Sequence, residues 1–432
     1  MTTSERLFAL VCLVGSILGI AAFFLWPMLS AEEVVDYSPP ARTGDLPPIA
    51  VRYQPVQVRA WGGFESAVDN DALYYALDTS VPYSGQPTIA QLLHELRLWG
   101  AHSPFPVIDD LVGRSGMWTV GVLLDNSKCE EHVKFAESFG GFLIRTRYGT
   151  RVLTAADPGL NTVYAQGHYG QLLQVLAEVG APLGQSVLDD GGERGTIEDL
   201  IRDAAARYSP KDEQEFTAVA FACWLEPGAE WMDRFGNSHT MDDVARALAR
   251  TRIGDGTCYG GHLPYAMMMV LRVNELEPII ATETKEMLEA RLKEFSRVLT
   301  RSQLGDGSWD YNWSGNEESD SGALVSTSQE YDRITCTGHH LEWIALAPPE
   351  LRPADEVVTS AINALAKLLK NMPTKDEQSF KDMLPASHGA RALSLLRNEE
   401  PYEFWEREFK SRNPDMKIEE NRAPDYRGED GN

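Results

Sequence analysis

A short glycine-rich string that follows a helical segment occurs twice, and it constrains the fold more than any other feature of the chain. Residues 298–309 read VLTRSQLGDGSW, and residues 249–258 read ARTRIGDGTC, so the two strings end 51 residues apart. A helix that runs into such a loop, repeated at the spacing of a helix pair, is typical of proteins built from stacked helical hairpins. The sequence therefore predicts a repeated all-α architecture.

Two kinds of helix alternate along the chain. Residues 284–303 and 356–372 place their apolar side chains on one stripe, whereas residues 263–273 and 340–347 are apolar nearly all round. A helix with one apolar stripe has a face in water, and a helix that is apolar on all sides is enclosed by protein. Alternating outer and inner helices predict an α/α toroid of about five to six helix pairs.

One stretch departs from this pattern. Residues 119–124 and 142–154 are rich in Val, Ile, Leu, Tyr and Thr, and Tyr148-Gly149-Thr150 has the composition of a turn. Such segments favour strands joined by a tight connection. We therefore expect a small β-hairpin inserted among the helices.

Four predicted inner helices begin with a small residue followed by histidine, and these pairs are Gly167-His168, Gly261-His262, Gly338-His339 and Ser387-His388. The imidazoles would form a ring at the mouth of a central cavity, available for proton transfer or ligand binding. Alternatively, the pair is only a device that starts a helix, repeated because the architecture repeats. On the first interpretation His262 and His339 are the candidate catalytic residues.

The N-terminal region has the composition of a membrane anchor. Residues 7–29 carry no charged side chain, and these 23 residues can cross a bilayer as a helix. The apolar region of a cleaved signal peptide is shorter, about 7–15 residues. Arg6 precedes the segment and acidic residues follow it, which predicts a single-pass membrane protein with a short inner tail, residues 1–6, and an extracytoplasmic soluble domain.

The remaining boundaries follow from composition. Residues 30–57 contain Pro39-Pro40 and Pro47-Pro48 and predict an extended linker. Residues 58–412 carry the helical periodicity and form the predicted toroid domain. Residues 413–432 are polar and lack the apolar side chains that would offset the entropy of ordering, so we predict a disordered tail.

The charge of the chain excludes one class of partner. A formal net charge of −25 and the absence of a Lys/Arg block argue against nucleic-acid binding, which needs a basic face. Outside the predicted membrane segment the cysteines are Cys129, Cys223, Cys258 and Cys336. Four widely spaced cysteines in a large domain do not form a disulfide framework, although one bridge is compatible with an extracytoplasmic location.

The first glycine-rich string resembles the QW repeat of triterpene cyclases such as squalene-hopene cyclases. Val298-Leu299, Gln303, Gly307 and Trp309 stand in the order of that repeat, while the other copy has Cys258 in place of the tryptophan. The resemblance implies the toroid fold that these cyclases share with protein prenyltransferase β subunits. The acidic Asp-x-Asp-Asp motif of the cyclases is not matched, because Asp69-Asn70-Asp71-Ala72 lacks the last aspartate.

The same superfamily implies a zinc site. Prenyltransferases bind zinc through an Asp, a Cys and a later His, and Asp255, Cys258 and His339 or His340 stand in that order, although Cys258 follows Asp255 by three positions where the family has two. A weaker similarity to LanC-type lanthionine cyclases rests on Cys258-Tyr259-Gly260 and on Cys336, three residues before His339. The implied metal ligands are Asp255, Cys258, Cys336 and His339. Ordinary buried cysteines or a disulfide remain the alternatives.

Three functions remain open on the sequence alone. The leading hypothesis is a membrane-anchored toroid that binds a peptide or apolar ligand in its central cavity, without established catalysis. The second is a zinc-dependent enzyme, similar to prenyltransferases or cyclases, that acts on thiol or isoprenoid substrates. The third is a purely structural interaction module.

Overall fold

The computed structural model describes residues 46–82, 86–105, 115–134, 141–315, 329–372 and 380–414. The predicted membrane segment, residues 7–29, and most of the predicted tail lie outside these ranges. Within them, no helix combines the length and the apolar character needed to cross a bilayer. The described residues, which include positions 46–57 of the predicted linker, belong to one compact unit.

Most of the described chain is helical, as predicted. The α-helices are α1 Asn70–Thr79, α2 Ile89–Trp99, α3 Gly116–Leu123, α4 Asn126–His132, α5 Gln171–Glu178, α6 Ile197–Arg207, α7 Glu215–Trp224, α8 Met241–Arg250, α9 Thr257–Gly260, α10 His262–Leu276, α11 Thr282–Ser302, α12 Gln329–Leu346, α13 Asp355–Lys370, α14 Phe380–Arg397 and α15 Pro401–Arg412. A short 3₁₀-helix, Pro349–Leu351, lies between α12 and α13.

The strands of the described chain form three antiparallel hairpins: β1 Leu143–Arg145 with β2 Thr150–Val152, β3 Ser186–Leu188 with β4 Arg194–Thr196, and β5 Glu230–Met232 with β6 Ser238–Thr240. The first hairpin confirms the prediction for residues 142–154. The prediction of a strand at residues 119–124 is wrong, because this segment belongs to α3, where Ser115 caps the first turn by accepting the N–H of Trp118. A short apolar run fits a buried helix as well as a strand.

Six helices pack against one another in a closed cycle. In the order α2, α5, α7, α10, α12 and α14, each helix contacts the next, and α14 contacts α2 again. These six ring helices are mostly buried, and α10 is buried on nearly every side from Leu263 to Val273. The prediction that residues 263–273 form an enclosed helix is therefore confirmed.

Other helices pack on the outside of this cycle. Helix α11 contacts α8 and α10, and α13 contacts α12 and α14. Each outer helix turns one apolar stripe inward, as Leu288, Leu292 and Phe295 do on α11. The predicted division into one-sided and enclosed helices holds because apolar side chains leave water wherever the helix period allows.

The glycine-rich string lies at the joint between an outer and an inner element. Gln303 donates from its side chain to the carbonyl oxygens of Gly307 and Val357, and the Trp309 indole donates to the carbonyl of Leu299 at 2.9 Å. Gly307 has φ 96°, a conformation in which a side chain is strained. The string therefore turns the chain at the end of α11 and anchors the turn to α13.

An extended segment near the N-terminal side of the described chain binds the carboxyl ends of three ring helices. Residues 50–61, here called the strap, bond to the carboxyl ends of α5, α7 and α12. The Arg52 N–H donates to Trp224 O at 2.8 Å, and the Trp61 N–H donates to Ala345 O at 2.8 Å. The last carbonyls of a helix have no partner within the helix, so the strap satisfies groups that the ring leaves open.

Two of the predicted helix starts lie elsewhere. His339 and His388 were expected at the first turns of their helices, but α12 begins ten residues earlier, at Gln329, and α14 begins eight residues earlier, at Phe380. Each histidine is therefore in the middle of a helix. A small residue before His339 is needed for packing instead, because a Cβ on Gly338 would lie 3.0 Å from the carbonyl carbon of His388.

Candidate functional site

Aromatic rings from all six ring helices, or from the residues just before them, meet in one layer. Five of the six rings are imidazoles: His94, His168, His262, His339 and His388, with Phe216 as the sixth. The ring centroids of His262 and His339 are 4.3 Å apart, and those of His339 and His388 are 3.9 Å apart. We call this set the histidine layer.

One thiol lies at the edge of the histidine layer. Cys258 is half-buried, and its sulfur lies with one ring nitrogen each of His262 and His339 in a group whose atoms are all within 4.8 Å of one another. The ligands of a single zinc ion are about 2.0–2.3 Å from the metal, so this spacing is compatible with one shared ion. The group could therefore hold a metal.

The chemistry of the two imidazoles fits such a role. Burial, followed by the proximity of other histidines and Arg97, holds the pKa of both His262 and His339 well below the usual range. Both rings are therefore neutral at physiological pH and have a free electron pair. The Nε2 atom of His339 is buried and has no hydrogen-bond partner in the described structure. A buried nitrogen without a partner costs free energy, which a bound cation would recover.

A glycine allows the two helices that carry His262 and His339 to approach each other closely. A Cβ on Gly261 would lie 2.8 Å from Cβ of His339, so α10 can begin against α12 only with glycine at this position. The turn before α10 is the short element α9, Thr257–Gly260, whose two middle residues are not helical. Cys258 has φ 47°, ψ 56° and Tyr259 has φ 59°, ψ 31°. Left-handed backbone at non-glycine residues is uncommon and is concentrated at functional sites.

A third histidine, His168, also lies beside the Cys258 thiol. His168 Nε2 is 3.9 Å from Cys258 Sγ, and His168 Nδ1 is 2.8 Å from Glu213 Oε1. The side chains of His168 and Glu213 are each 26% exposed, so solvent or a substrate can reach the pair. Although burial opposes it, the contacts with Cys258 and Glu213 raise the pKa of His168 to about 10. This imidazole is therefore protonated at neutral pH.

Charged side chains fill the ring below the histidine layer. Arg97 Nε lies 2.9 Å from Glu178 Oε2, Arg391 Nη2 lies 2.6 Å from the same oxygen, and the Tyr265 hydroxyl donates to Glu178 Oε1 at 2.9 Å. Glu342 completes this ionic network, with Oε2 2.6 Å from Arg97 Nη2. The network therefore joins side chains from five of the six ring helices, α2, α5, α10, α12 and α14.

A second group of possible metal ligands belongs to this network. His339, Glu342 and His388 also have one ligand atom each within 4.8 Å of one another. Both oxygens of Glu342 are already engaged, one by Arg97 at 2.6 Å and one by His388 Nδ1 at 3.2 Å. Burial by itself would raise the pKa of Glu342, but the nearby Arg97 guanidinium holds this pKa below its usual range. The carboxylate therefore compensates buried arginine charge, and the group that contains Cys258 is the better metal candidate.

The structure separates the residues predicted as metal ligands. Cys258 and His339 lie together in the candidate group, and His262, predicted as catalytic, joins them. Asp255 lies at the surface, where both its carboxylate oxygens accept hydrogen bonds from Arg252. Cys336 is buried outside the group, and the four cysteines of the described chain are all free thiols.

Two further candidates from the sequence have structural roles. His340, the alternative to His339, lies against the rings of Trp309 and Trp313 at 5.5 and 4.4 Å between centroids, and burial lowers its pKa to about 3. Asp69, from the acidic string compared with the cyclase motif, caps α1 by accepting the N–H of Ala72 at 2.7 Å.

Sequence reasoning missed His168 with Glu213 as a pair, and it missed the ionic network. One signal for the network is present in the sequence, since polar residues follow the layer histidines at a spacing of three. These pairs are His94 with Arg97, His262 with Tyr265, His339 with Glu342, and His388 with Arg391. On a helix, residues at i and i+3 share a face, so each pair projects towards the ring centre. Glu213 carries no such signal, because only the fold brings it to His168.

No family model matches the chain, and neither a curated protein nor a solved structure is similar to it at a significant level. Any functional assignment therefore rests on the geometry of the site.

Proposed function

We propose that the helices form an α/α toroid and that the protein is a metal-dependent enzyme with Cys258, His262 and His339 as metal ligands. The closed cycle of six ring helices, with amphipathic helices packed outside it, supports the toroid. The convergence of one thiol and two neutral imidazoles within 4.8 Å is the observation that carries the enzymatic proposal. The membrane anchor and the extracytoplasmic location stay predictions from the sequence.

Zinc is the metal that this donor set favours. Thiolate and imidazole are its preferred ligands, and catalytic zinc sites use three protein ligands, which leaves one position for a water or a substrate. When bound, zinc acts as a Lewis acid that eases deprotonation of a coordinated water or thiol. These are the nucleophiles that we assign to the reaction, in agreement with the thiol substrates implied by the resemblance to zinc toroid enzymes.

The pair of His168 and Glu213 would take part in proton transfer to the reacting group. Glu213 Oε1 forms an ion pair with Nδ1 of His168 at 2.8 Å, and the other ring nitrogen, Nε2, lies 3.9 Å from Cys258 Sγ. An imidazole held in this way transfers protons efficiently when its partner is within hydrogen-bond reach. We therefore assign a general acid role to His168, which is protonated at neutral pH, and a supporting role to Glu213 as its ion-pair partner.

Metal analysis of single variants tests the proposal. The purified full-length protein is expected to contain about one zinc per chain, and Cys258→Ser, His262→Asn and His339→Asn should each lose it. Cys336→Ser and Asp255→Asn serve as matched controls, since neither side chain belongs to the three-residue group. Metal content would be measured by plasma mass spectrometry. A metal-free wild type, or equal zinc in all variants, would contradict the assignment.

A second candidate function has its own observation. The arrangement of Cys258, His168 and Glu213 is that of a thiol nucleophile, an acid-base imidazole and an orienting carboxylate. If the protein binds no metal, iodoacetamide should still modify Cys258 much faster than Cys336, and His168→Asn should slow the reaction. Peptide mass spectrometry after timed quenching gives both rates. An unchanged rate in His168→Asn would reject this candidate.

The hypothesis of a peptide or apolar ligand in the central cavity stays a prediction. The buried charges of the ionic network pair with one another between ring helices, and an apolar ligand inserted there would have to separate these pairs. The metal-dependent enzyme is therefore the better supported function.

A further inference from the structure

The turn that carries Cys258 needs support from outside itself. Cys258 and Tyr259 both have positive φ, at 47° and 59°, and each such residue costs on the order of 1 kcal/mol relative to a relaxed backbone. The turn is bounded by flexible glycines, Gly254 and Gly256 on one side and Gly260 on the other. Contacts with other elements must therefore select this conformation.

The first contact comes from the start of α7. Glu215 is 4% exposed, its Oε1 accepts the N–H of Thr257 at 3.2 Å, and its Oε2 accepts the N–H of Gln214 at 3.1 Å. A Cβ on Gly256 would lie 2.1 Å from Oε1 of Glu215. The carboxylate thus occupies the space that a side chain at position 256 would need, and it holds the residue directly before Cys258.

The second contact comes from the far side of the turn. Trp313 is 2% exposed, and its indole Nε1 donates to the carbonyl of Tyr259 at 2.8 Å. Two buried side chains therefore hold the peptide groups on both sides of Cys258, one through an N–H and one through a carbonyl. Neither side chain belongs to the candidate metal group.

We propose that Glu215 is a positioning residue that, together with Trp313, holds the Cys258 turn so that the sulfur points at His262 and His339. This inference rests on the proposed metal site and adds a residue that neither the sequence motifs nor the metal group contains. Residues that hold the ligands of a metal site are worth about 10–100-fold in metal affinity, although they do not touch the ion. Their loss changes the geometry of the bound metal as well as its affinity.

Cobalt binding by the full-length protein tests the role of Glu215. Cobalt replaces zinc and gives a thiolate-to-cobalt absorption band whose energy and intensity depend on the position of the sulfur. Glu215→Leu keeps the buried volume but removes both acceptor oxygens, and we expect at least a tenfold weaker cobalt affinity with a shifted band. Glu215→Gln keeps one oxygen for the Thr257 N–H, so it should recover most of the affinity and restore the band.

A matched tryptophan pair separates positioning from stability. Trp313→Phe removes the bond to the Cys258 turn, whereas Trp309→Phe removes a comparable bond to the carbonyl of Leu299, which is not part of that turn. Both should lower the thermal midpoint, but only Trp313→Phe should shift the cobalt band. An unchanged band and affinity in Glu215→Leu and Trp313→Phe would overturn the proposal.

The design also distinguishes this inference from the metal assignment. If the wild type takes up no cobalt, the proposed metal site fails, and the rate at which iodoacetamide modifies Cys258 then reports the turn. Holding the turn should change that rate at least tenfold between wild type and Glu215→Leu, with Glu215→Gln close to wild type. Equal rates in all three proteins would reject the role of Glu215 independently of any metal. Should Glu215→Leu fail to fold, Glu215→Gln and Trp313→Phe still provide the comparison.

Discussion

At the scale of single residues, the ring helices combine apolar surfaces with a few buried arginine and glutamate side chains. Glu178 is 6% exposed and receives bonds from Arg97, Arg391 and Tyr265. An arginine and a glutamate in a dry interior persist only when each compensates the other. These residues therefore help to fix which faces of five of the six ring helices meet, separately from the metal chemistry proposed for the histidine layer.

Replacing Glu178 with Gln should destabilise the protein strongly. The variant leaves Arg97 and Arg391 buried with only Glu342 as a counter-charge, and breaking a buried pair typically costs about 3–5 kcal/mol. Glu289→Gln is the control, because Glu289 forms a partly exposed pair with Lys285, for which less than about 1 kcal/mol is expected. Urea unfolding followed by tryptophan fluorescence measures both, and similar losses in the two variants would contradict this account.

At the scale of elements, the glycine-rich joint shows why two glycines in one string are not equivalent. A Cβ at Gly307 would lie 2.5 Å from the carbonyl oxygen of Ser360, and φ is 96°. A Cβ at Gly305 would meet nothing within 4 Å. Only Gly307 is required for the outer helix α13 to pack against the turn.

The substitution Gly307→Ala should cost at least about 2 kcal/mol, because it adds a backbone clash to an unfavourable φ. Gly305→Ala is expected to be neutral or slightly stabilising, since alanine reduces the entropy of the unfolded chain without a clash. Chemical denaturation of the two variants in parallel provides the comparison. A stability loss that is as large at Gly305 as at Gly307 would show that the string is sensitive for another reason.

At the scale of the whole molecule, buried neutral histidines couple folding to pH. Burial, together with His388, lowers the pKa of His94 to about 3, and burial lowers that of His340 to about 3. In the unfolded chain both titrate near about 6.5. As the pH falls below that value, the unfolded chain binds protons that the fold excludes, so stability is lost on acidification between the two pKa values.

We expect the free energy of unfolding to fall between pH 6 and pH 4 with a contribution of about 1.4 kcal/mol per pH unit from each of His94 and His340. His340→Phe fills the space beside Trp309 and Trp313 without a titrating group. The slope of the unfolding free energy against pH should therefore decrease by the contribution of one histidine, about 1.4 kcal/mol per pH unit. Urea unfolding at intervals of half a pH unit measures the slope. An identical slope in His340→Phe would show that His340 does not contribute to the acid sensitivity.

Periodicity predicted the elements that depend on local rules. The enclosed helix at residues 263–273, the one-sided helix at residues 284–303 and the hairpin at residues 142–154 all follow from the positions of apolar and turn-forming residues. The strand expected at residues 119–124 fails because a short apolar run has no period that separates strand from helix. The starts of α12 and α14 were missed because Pro385 and small residues lie inside a helix that packing stabilises.

The alternation of helices, the glycine-rich joint and the candidates Cys258, His262 and His339 could all be predicted from the sequence alone. These depend on local periodicity and on residue chemistry, which a linear chain displays directly. The folded structure was needed to show that Cys336 lies outside the group, that His168 contacts Cys258, and that Glu215 binds the N–H of the residue before Cys258. Contacts over 42 to 90 residues arise from the closure of the helix ring, which no local pattern specifies.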